Sequence, residues 1–185
     1  MRIIGGQHKG RRLATPRSSA VRPTSDRLRE TIFNVLAHAY DDPVRGARVL
    51  DLFAGTGAMG LEAISRGAAF AVLVDDGAEA RGLIRANVEA LGAAGVTRIF
   101  RRDATKLSPV TPFEPFSLVF CDPPYGKGLA ERALASAAAG GWLALGALVL
   151  VEEAAGAEFT LPDGFEHIER RDYGETEVVI ARFGA

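Results

Sequence analysis

Two short stretches of this 185-residue chain hold residue types whose order could do chemistry. The sharper is Asp122-Pro123-Pro124-Tyr125, which follows directly on the apolar run Phe116–Cys121. Consecutive prolines fix φ at about −65° and remove N–H donors, so the carbonyls of Asp122 and Pro123 sit in a stiff, acceptor-rich loop. Such a loop suits a primary amine. Its two hydrogens can be accepted by the Asp122 carboxylate and the Pro123 carbonyl, which aims the nitrogen lone pair at an electrophile, while Tyr125 offers a face on which a flat base can stack. In the plainer reading the same residues form a Pro-Pro turn leaving a strand, with Asp122 capping an amide and Tyr125 as packing.

The second stretch is Asp51-Leu52-Phe53-Ala54-Gly55-Thr56-Gly57-Ala58-Met59-Gly60, between an expected strand and an expected helix. Its glycines permit positive φ and let a ligand approach the backbone, and the helix start offers unpaired N–H groups. Asp75 ends the next apolar run, 24 positions after Asp51, where a carboxylate can accept from both hydroxyls of a ribose. The spacing of Gly55, Gly57 and Gly60 also matches a dinucleotide fingerprint, so a nicotinamide or flavin enzyme is the rival reading, and a tight turn with no ligand is the simplest one. Asp51 separates them. An acid just before the loop would repel a pyrophosphate but can hold the cationic amino-acid part of S-adenosylmethionine, which favours a methyltransferase.

The elements that must position these residues are visible as patterns. Arg48–Leu52, Phe70–Val74, Phe116–Cys121 and Ala147–Val151 are unalternating apolar runs, as strands buried on both faces should be, with a weaker strand at Arg98–Arg102. Helix-like segments lie between them at Ala58–Arg66, Ala78–Leu91 and Leu129–Ala139, and the alternation implies right-handed βαβ units. Phe165–Tyr173 and Glu175–Phe183 flank Gly174 and predict a closing antiparallel hairpin. The expected fold class is therefore α/β: a doubly wound, mostly parallel seven-stranded sheet with a C-terminal hairpin. Upstream, Thr24 or Ser25 caps a helix to Ala39 with Leu28, Ile32, Val35 and Leu36 on one stripe, and Met1–Pro16 reads as a small hairpin, mobile without a partner. Residues 1–40 are expected as a basic extension on a methyltransferase body of 41–185, one compact domain overall.

The net charge of −1 hides a split, since residues 1–30 carry eight Arg or Lys against two acids, a net +6 that leaves −7 for the rest. A compact cationic segment is how a phosphate-contacting surface often looks, with a solvated basic face as the alternative. Arg2, Lys9, Arg11, Arg12, Arg22, Arg27 and Arg29 are the candidate nucleic-acid contacts. One cysteine excludes an internal disulfide, and no apolar run is long enough to span a bilayer, so a cytoplasmic protein with no membrane partner is expected. His8, His38 and His167 lack metal-ligand spacing, no metal is expected, and Cys121, Trp142 and Phe165 read as core.

With these residues in view, the chain resembles the bacterial RsmD family, guanine-N2 methyltransferases of 16S ribosomal RNA, over nearly its whole length. The likeness lies in Met1-Arg2-Ile3-Ile4-Gly5-Gly6 with Lys9-Gly10-Arg11, in Arg22–Glu30, in Asp51–Gly57, in Asp122–Tyr125 and in Tyr173-Gly174-Glu175-Thr176. The resemblance implies cofactor contact through Asp51, Phe53, Ala54, Gly55, Thr56, Gly57 and Asp75, adenine contact near Asp103-Ala104, and target-amine contact through Asp122, Pro123, Pro124 and Tyr125. It implies ribosomal RNA, or an assembling small subunit, as partner. Members similar to this one usually have glutamate where Asp75 stands, which leaves Asp75 and Asp76 both open as the ribose ligand. Adenine-N6 methylation of DNA and methylation of a protein amide share the Pro-Pro motif, and a non-catalytic RNA-binding protein is a further alternative.

Overall fold

The computed structural model describes residues 1–184. Eleven principal elements follow one another: α1 (Asp26–Ala39), β1 (Arg48–Leu52), α2 (Ala58–Ser65), β2 (Phe70–Val74), α3 (Ala78–Ala90), β3 (Thr97–Phe100), β4 (Phe116–Cys121), α4 (Leu129–Ala139), β5 (Leu143–Ala154), β6 (Phe165–Asp172) and β7 (Thr176–Phe183). The seven strands form one sheet in the order β3-β2-β1-β4-β5-β7-β6. Pairings are parallel from β3 through β5 and antiparallel for β5 with β7 and β6 with β7. The chain order reverses between β1 and β4, the switch point where open sheets of this kind bind ligands.

Alternate residues of a strand face opposite sides, and here each side has its own core. Val49, Leu73, Leu118, Phe120, Leu148 and Leu150 pack with residues of α1, α2 and α3, while Leu50, Leu52, Val74, Val119, Cys121, Val149 and Val151 pack with α4 and Trp142. That two-sided burial is why the strands read as continuous apolar runs. Ser25 caps α1 by accepting the Leu28 N–H at 3.1 Å, and the helix buries Ile32, Phe33 and Leu36.

The N-terminal residues form the expected small hairpin, with an antiparallel Arg2–Arg12 bridge and the Ile3 and Leu13 N–H groups donating to the Arg11 and Met1 carbonyls, but the arm is fastened to the body instead of standing free. Ile3 and Leu13 lie in the core; the N–H groups of Ile4 and Gly5 donate to the Glu62 carboxylate, and Ala14 N–H donates to Asn87 Oδ1 at 2.6 Å. Strand β3 ends at Phe100, short of the expected Arg102, because Arg101 and Arg102 are exposed beyond the sheet. Strand β5 is longer than expected at both ends: it begins before Gly146, whose φ of 79° breaks the apolar pattern, and continues into Glu152 and Glu153.

Candidate active site

Register places the functional acids. Leu52 on β1 pairs with Cys121 on β4, and Cys121 pairs with Val151 on β5, so Asp51, Asp122 and Glu152 gather at the carboxyl ends of three adjacent strands. Their parity directs all three to the face that carries α1, α2 and α3. A cavity of about 450 Å³ opens here, walled by Ser19–Arg22, Phe53, Gly55, Asp75–Ala80 and Asp122–Tyr125. A smaller recess beside it is lined by Asp51, Ala54, Thr56 and Thr24, and shares Arg22, Phe53, Gly55 and Asp122 with the first.

The glycine loop shapes the junction. Gly55 has φ 60° and lies on the cavity wall, and Phe53 itself takes φ 58°, a strained value for a bulky side chain. Gly57 does not line the cavity. It caps α2 with φ 79°, so its conformational freedom serves the turn. The Gly55 N–H donates to Asp75 Oδ2 at 3.0 Å and Gly77 N–H to Oδ1 at 2.8 Å, which ties the end of β2 to the loop after β1. Asp76 is exposed on the same wall, so both acids face the cavity. Asp51 is buried and accepts the Gly60 N–H at 3.0 Å.

Burial dominates the electrostatics. It pushes the Asp51 carboxyl up to about 8 against the partial relief of the Gly60 N–H, and raises Asp75 against two backbone donors. Asp122 is held well above the usual carboxylate range by burial and by the neighbouring Glu152, while the Thr24 hydroxyl, donating at 3.2 Å, and Arg22 oppose the shift. Burial also raises Glu152 and the Tyr125 hydroxyl. The Tyr125 hydroxyl donates to Glu152 Oε1 at 2.9 Å, and the Arg22 guanidinium sits 4.7 Å from the centre of the tyrosine ring.

The residue pattern agrees with what the chain is similar to. The family model described as conserved hypothetical protein 95 matches residues 1–182. Ribosomal RNA small subunit methyltransferase D of Escherichia coli K12 is 45% identical over 153 residues, covering 82% of this chain and 74% of that protein. The chain belongs to the RsmD family of methyltransferases. A relative named as a putative rRNA methyltransferase in Bacillus subtilis strain 168 is 38% identical over 127 residues, 68% of this chain and 67% of its own length. A solved structure of a putative methyltransferase from Escherichia coli superposes with a TM-score of 0.83 at 34% identity, covering 100% of this chain and 98% of that one.

One expectation for this RsmD-family chain, Arg29, needs correction, and another, Asp103-Ala104, lies outside both linings. Asp103 and Ala104 line neither the cavity nor the recess. The Asp103 carboxylate accepts the N–H and hydroxyl of Thr105 at 2.9 and 2.7 Å, which hold it below its ordinary value, and Ala104 is buried in the α4 core. Arg29 is not an RNA contact: its side chain is fully buried, paired with Glu62 and Asp26, and donates to the carbonyls of Arg2 and Thr24. Arg2, Lys9, Arg11, Arg12, Arg22 and Arg27 remain exposed, although Arg2 and Arg11 already donate to the Gly10 and Ala90 carbonyls. Arg22 differs from the rest in lining both cavities.

Sequence reasoning passed over three features. Residues 17–22 strap across the cavity, fastened where Arg17 N–H donates to Glu79 Oε1 at 2.8 Å and the Ser18 hydroxyl bonds the same carboxylate. Nothing local in Arg17-Ser18-Ser19-Ala20 signals that contact across 62 positions. Thr24 was visible only as a helix cap, yet it donates to Asp122. Glu152 could have been found, since it is an acid directly after the apolar run Ala147–Val151, as Asp122 is after Phe116–Cys121.

Proposed function

We propose that the chain transfers a methyl group from S-adenosylmethionine to the exocyclic N2 amine of a guanine in 16S ribosomal RNA. The observation that carries the reading is that one cavity joins the glycine loop and Asp75 to the Asp122–Tyr125 loop, so a nucleoside cofactor and a target amine can meet there. Family membership supports the RNA substrate, since relatives bear the name of small-subunit ribosomal RNA methyltransferases.

The residues fit the cofactor. Gly55 leaves the wall open where a side chain would project, and the lining is acidic at Asp75, Asp76, Glu79 and Asp122, with Asp51 in the adjoining recess. Such a lining attracts a cation and would repel the pyrophosphate of a dinucleotide, which weighs against the nicotinamide reading. S-adenosylmethionine, when bound, supplies a methyl made electrophilic by a positively charged sulfur. Asp51 would hold the amino-acid end, and Asp75 or Asp76 the ribose.

The chain's own residues would act mainly by positioning. The Tyr125 ring stacks the base, and the Asp122 carboxylate and Pro123 carbonyl accept the two amine hydrogens, which points the nitrogen lone pair at the methyl. The proton released as nitrogen gains its methyl passes to a carboxylate oxygen of Asp122, whose burial beside Glu152 favours holding one. The exposed arginines and Lys9 of the N-terminal arm bind the RNA backbone.

Incubation with methyl-labelled cofactor and small ribosomal subunits lacking the modification, followed by nucleoside mapping, tests the reading. N2-methylguanosine is the expected product, and label in adenosine or in protein overturns it. Calorimetry with S-adenosylhomocysteine and with NAD separates the cofactor classes, with heat expected only from the first.

A further inference from the structure

Glu152 takes no part in the reaction above, yet its position is costly. It is 8% exposed at the end of β5, directly alongside Asp122 because the register pairs Cys121 with Val151. A buried carboxyl set beside a second, partly buried one opposes folding. The ion pairs among the described residues engage Glu62, Asp26, Asp42, Glu177 and Glu169, so Glu152 has no direct ion pair, although the Arg22 charge, Thr24 and Asp122 partly offset its burial. The largest relief comes from a phenol: the Tyr125 hydroxyl bonds Glu152 Oε1 at 2.9 Å and Thr176 Oγ1 at 3.2 Å.

The consequence is geometric. Tyr125 belongs to the loop after β4, while Glu152 and Thr176 lie on β5 and β7, a pair of strands that clamp its hydroxyl from outside the cavity. A tyrosine has two side-chain torsions, and anchoring the far end of the ring restricts both. Tyr125 and Asp122 wall the cavity and Glu152 does not. The guanidinium of Arg22, also on that wall, covers one face of the ring at 4.7 Å from its centre, so a base stacks on the plane that Glu152 fixes by taking the place of Arg22.

We propose that Glu152 is a positioning residue for the methyl-accepting base: with Thr176 it pins the Tyr125 hydroxyl and sets the plane on which the base stacks, without touching the base itself. This rests on the base-methylating function proposed above. What Tyr125 requires of position 152 is an acceptor for its hydroxyl proton. Glutamine retains one, and alanine does not.

The test compares Glu152→Ala, Glu152→Gln, Tyr125→Phe and the double variant Glu152→Ala/Tyr125→Phe. Initial methylation rates are measured on undermodified small subunits at saturating cofactor, with S-adenosylhomocysteine affinity and thermal melting recorded beside them. Glu152→Ala and Tyr125→Phe should each lower kcat/KM for the RNA at least about tenfold, as misplacement of a reactant does. The double variant should be no worse than either, because both remove the same hydrogen bond. Glu152→Gln should recover most of the rate, and affinity for S-adenosylhomocysteine should stay within about threefold throughout. Losses that multiply in the double variant, a glutamine variant as poor as alanine, or a normal rate in Glu152→Ala each overturn the proposal. If Glu152→Ala does not fold, Glu152→Gln with Tyr125→Phe and their combination decides in the same way. A wild-type chain that binds S-adenosylhomocysteine but methylates no RNA base refutes the function itself, and the role of Glu152 falls with it.

Discussion

Asp51→Asn should make the free protein more stable and a worse binder of its cofactor, with a pH dependence that identifies the cause. In the fold the Asp51 carboxyl is pushed from 3.8 to about 8 by burial. An acid whose pKa is raised binds more protons folded than unfolded between those two values, so its contribution to stability falls as pH rises through that window and is flat above it. At 1.36 kcal/mol per unit, the shift corresponds to about 6 kcal/mol of destabilisation in the fully ionised state, an upper figure because burying an amide has its own cost. Asparagine keeps an oxygen that can accept the Gly60 N–H and removes the ionisation. Recovering about half of the upper figure would raise melting by roughly 5–10 °C at pH 8 for a chain of this size, with a smaller rise at pH 5.

Binding should move in the opposite direction. If Asp51 holds the ammonium of the cofactor's amino-acid end, loss of a charge-assisted hydrogen bond weakens S-adenosylhomocysteine by roughly 10- to 10²-fold. Melting curves at pH 5, 6.5 and 8, together with calorimetric titration at pH 8, check both halves. A variant that melts lower than wild type at pH 8, or at the same offset at every pH, refutes the assigned cause of the strain. Unchanged affinity refutes the assigned ligand contact.

Other perturbations separate the remaining roles. Asp122→Ala should lower single-turnover methyl transfer by roughly 10²-fold or more with smaller effects on KM, whereas Asp122→Asn should keep measurable activity if orientation dominates; a near-normal alanine variant removes Asp122 from the reaction. Gly55→Val should abolish S-adenosylhomocysteine binding in calorimetry, because φ is 60° there and a β-carbon would already sit 3.4 Å from the Val21 Cγ1. Arg29→Ala should destabilise the chain by about 3–5 kcal/mol in urea titrations by leaving Glu62 buried with one partner fewer, while Lys9→Ala and Arg12→Ala should leave stability unchanged and each reduce the salt slope of RNA binding by about 1. A stable Arg29→Ala variant with a reduced salt slope would reverse that assignment.

The parts of the fold legible in the sequence were those set by short-range pattern. The runs at β1, β2 and β4 are mostly apolar without alternation because both faces are covered, so their limits show directly, and the acids at their ends stand out against them. Strand β5 hides its start because Gly146 interrupts the apolar pattern, and its acidic end reads as the start of a loop. Arg29 misleads for a different reason. In sequence it is one cation in a basic run, and only the docking of the arm against α2 sets it beside Glu62. Charge composition cannot distinguish a cation that faces solvent from one that neutralises a buried acid, and the same limit hid the strap from Arg17 to Glu79.

The acids explain how one sheet edge serves a cationic cofactor and a polyanionic substrate together. Asp51, Asp122 and Glu152 lie along the ends of three adjacent strands, and each is held above its ordinary range by burial. Exposed basic residues cluster on the arm, at Arg2, Lys9, Arg11, Arg12 and Arg17, with Arg22 where the strap meets the cavity, while others such as Arg85, Arg102 and Lys127 lie elsewhere on the surface. On the proposed function, phosphates are drawn to the arm, so an RNA can bring in a neutral base without its backbone following into the acid-lined cleft. On the proposed reaction the acids attract a positive sulfur before transfer and face a neutral thioether afterwards, so methyl transfer itself removes one attraction holding the spent cofactor. An apolar edge would be more stable, but it would lack both this sorting of charge and this loosening of product.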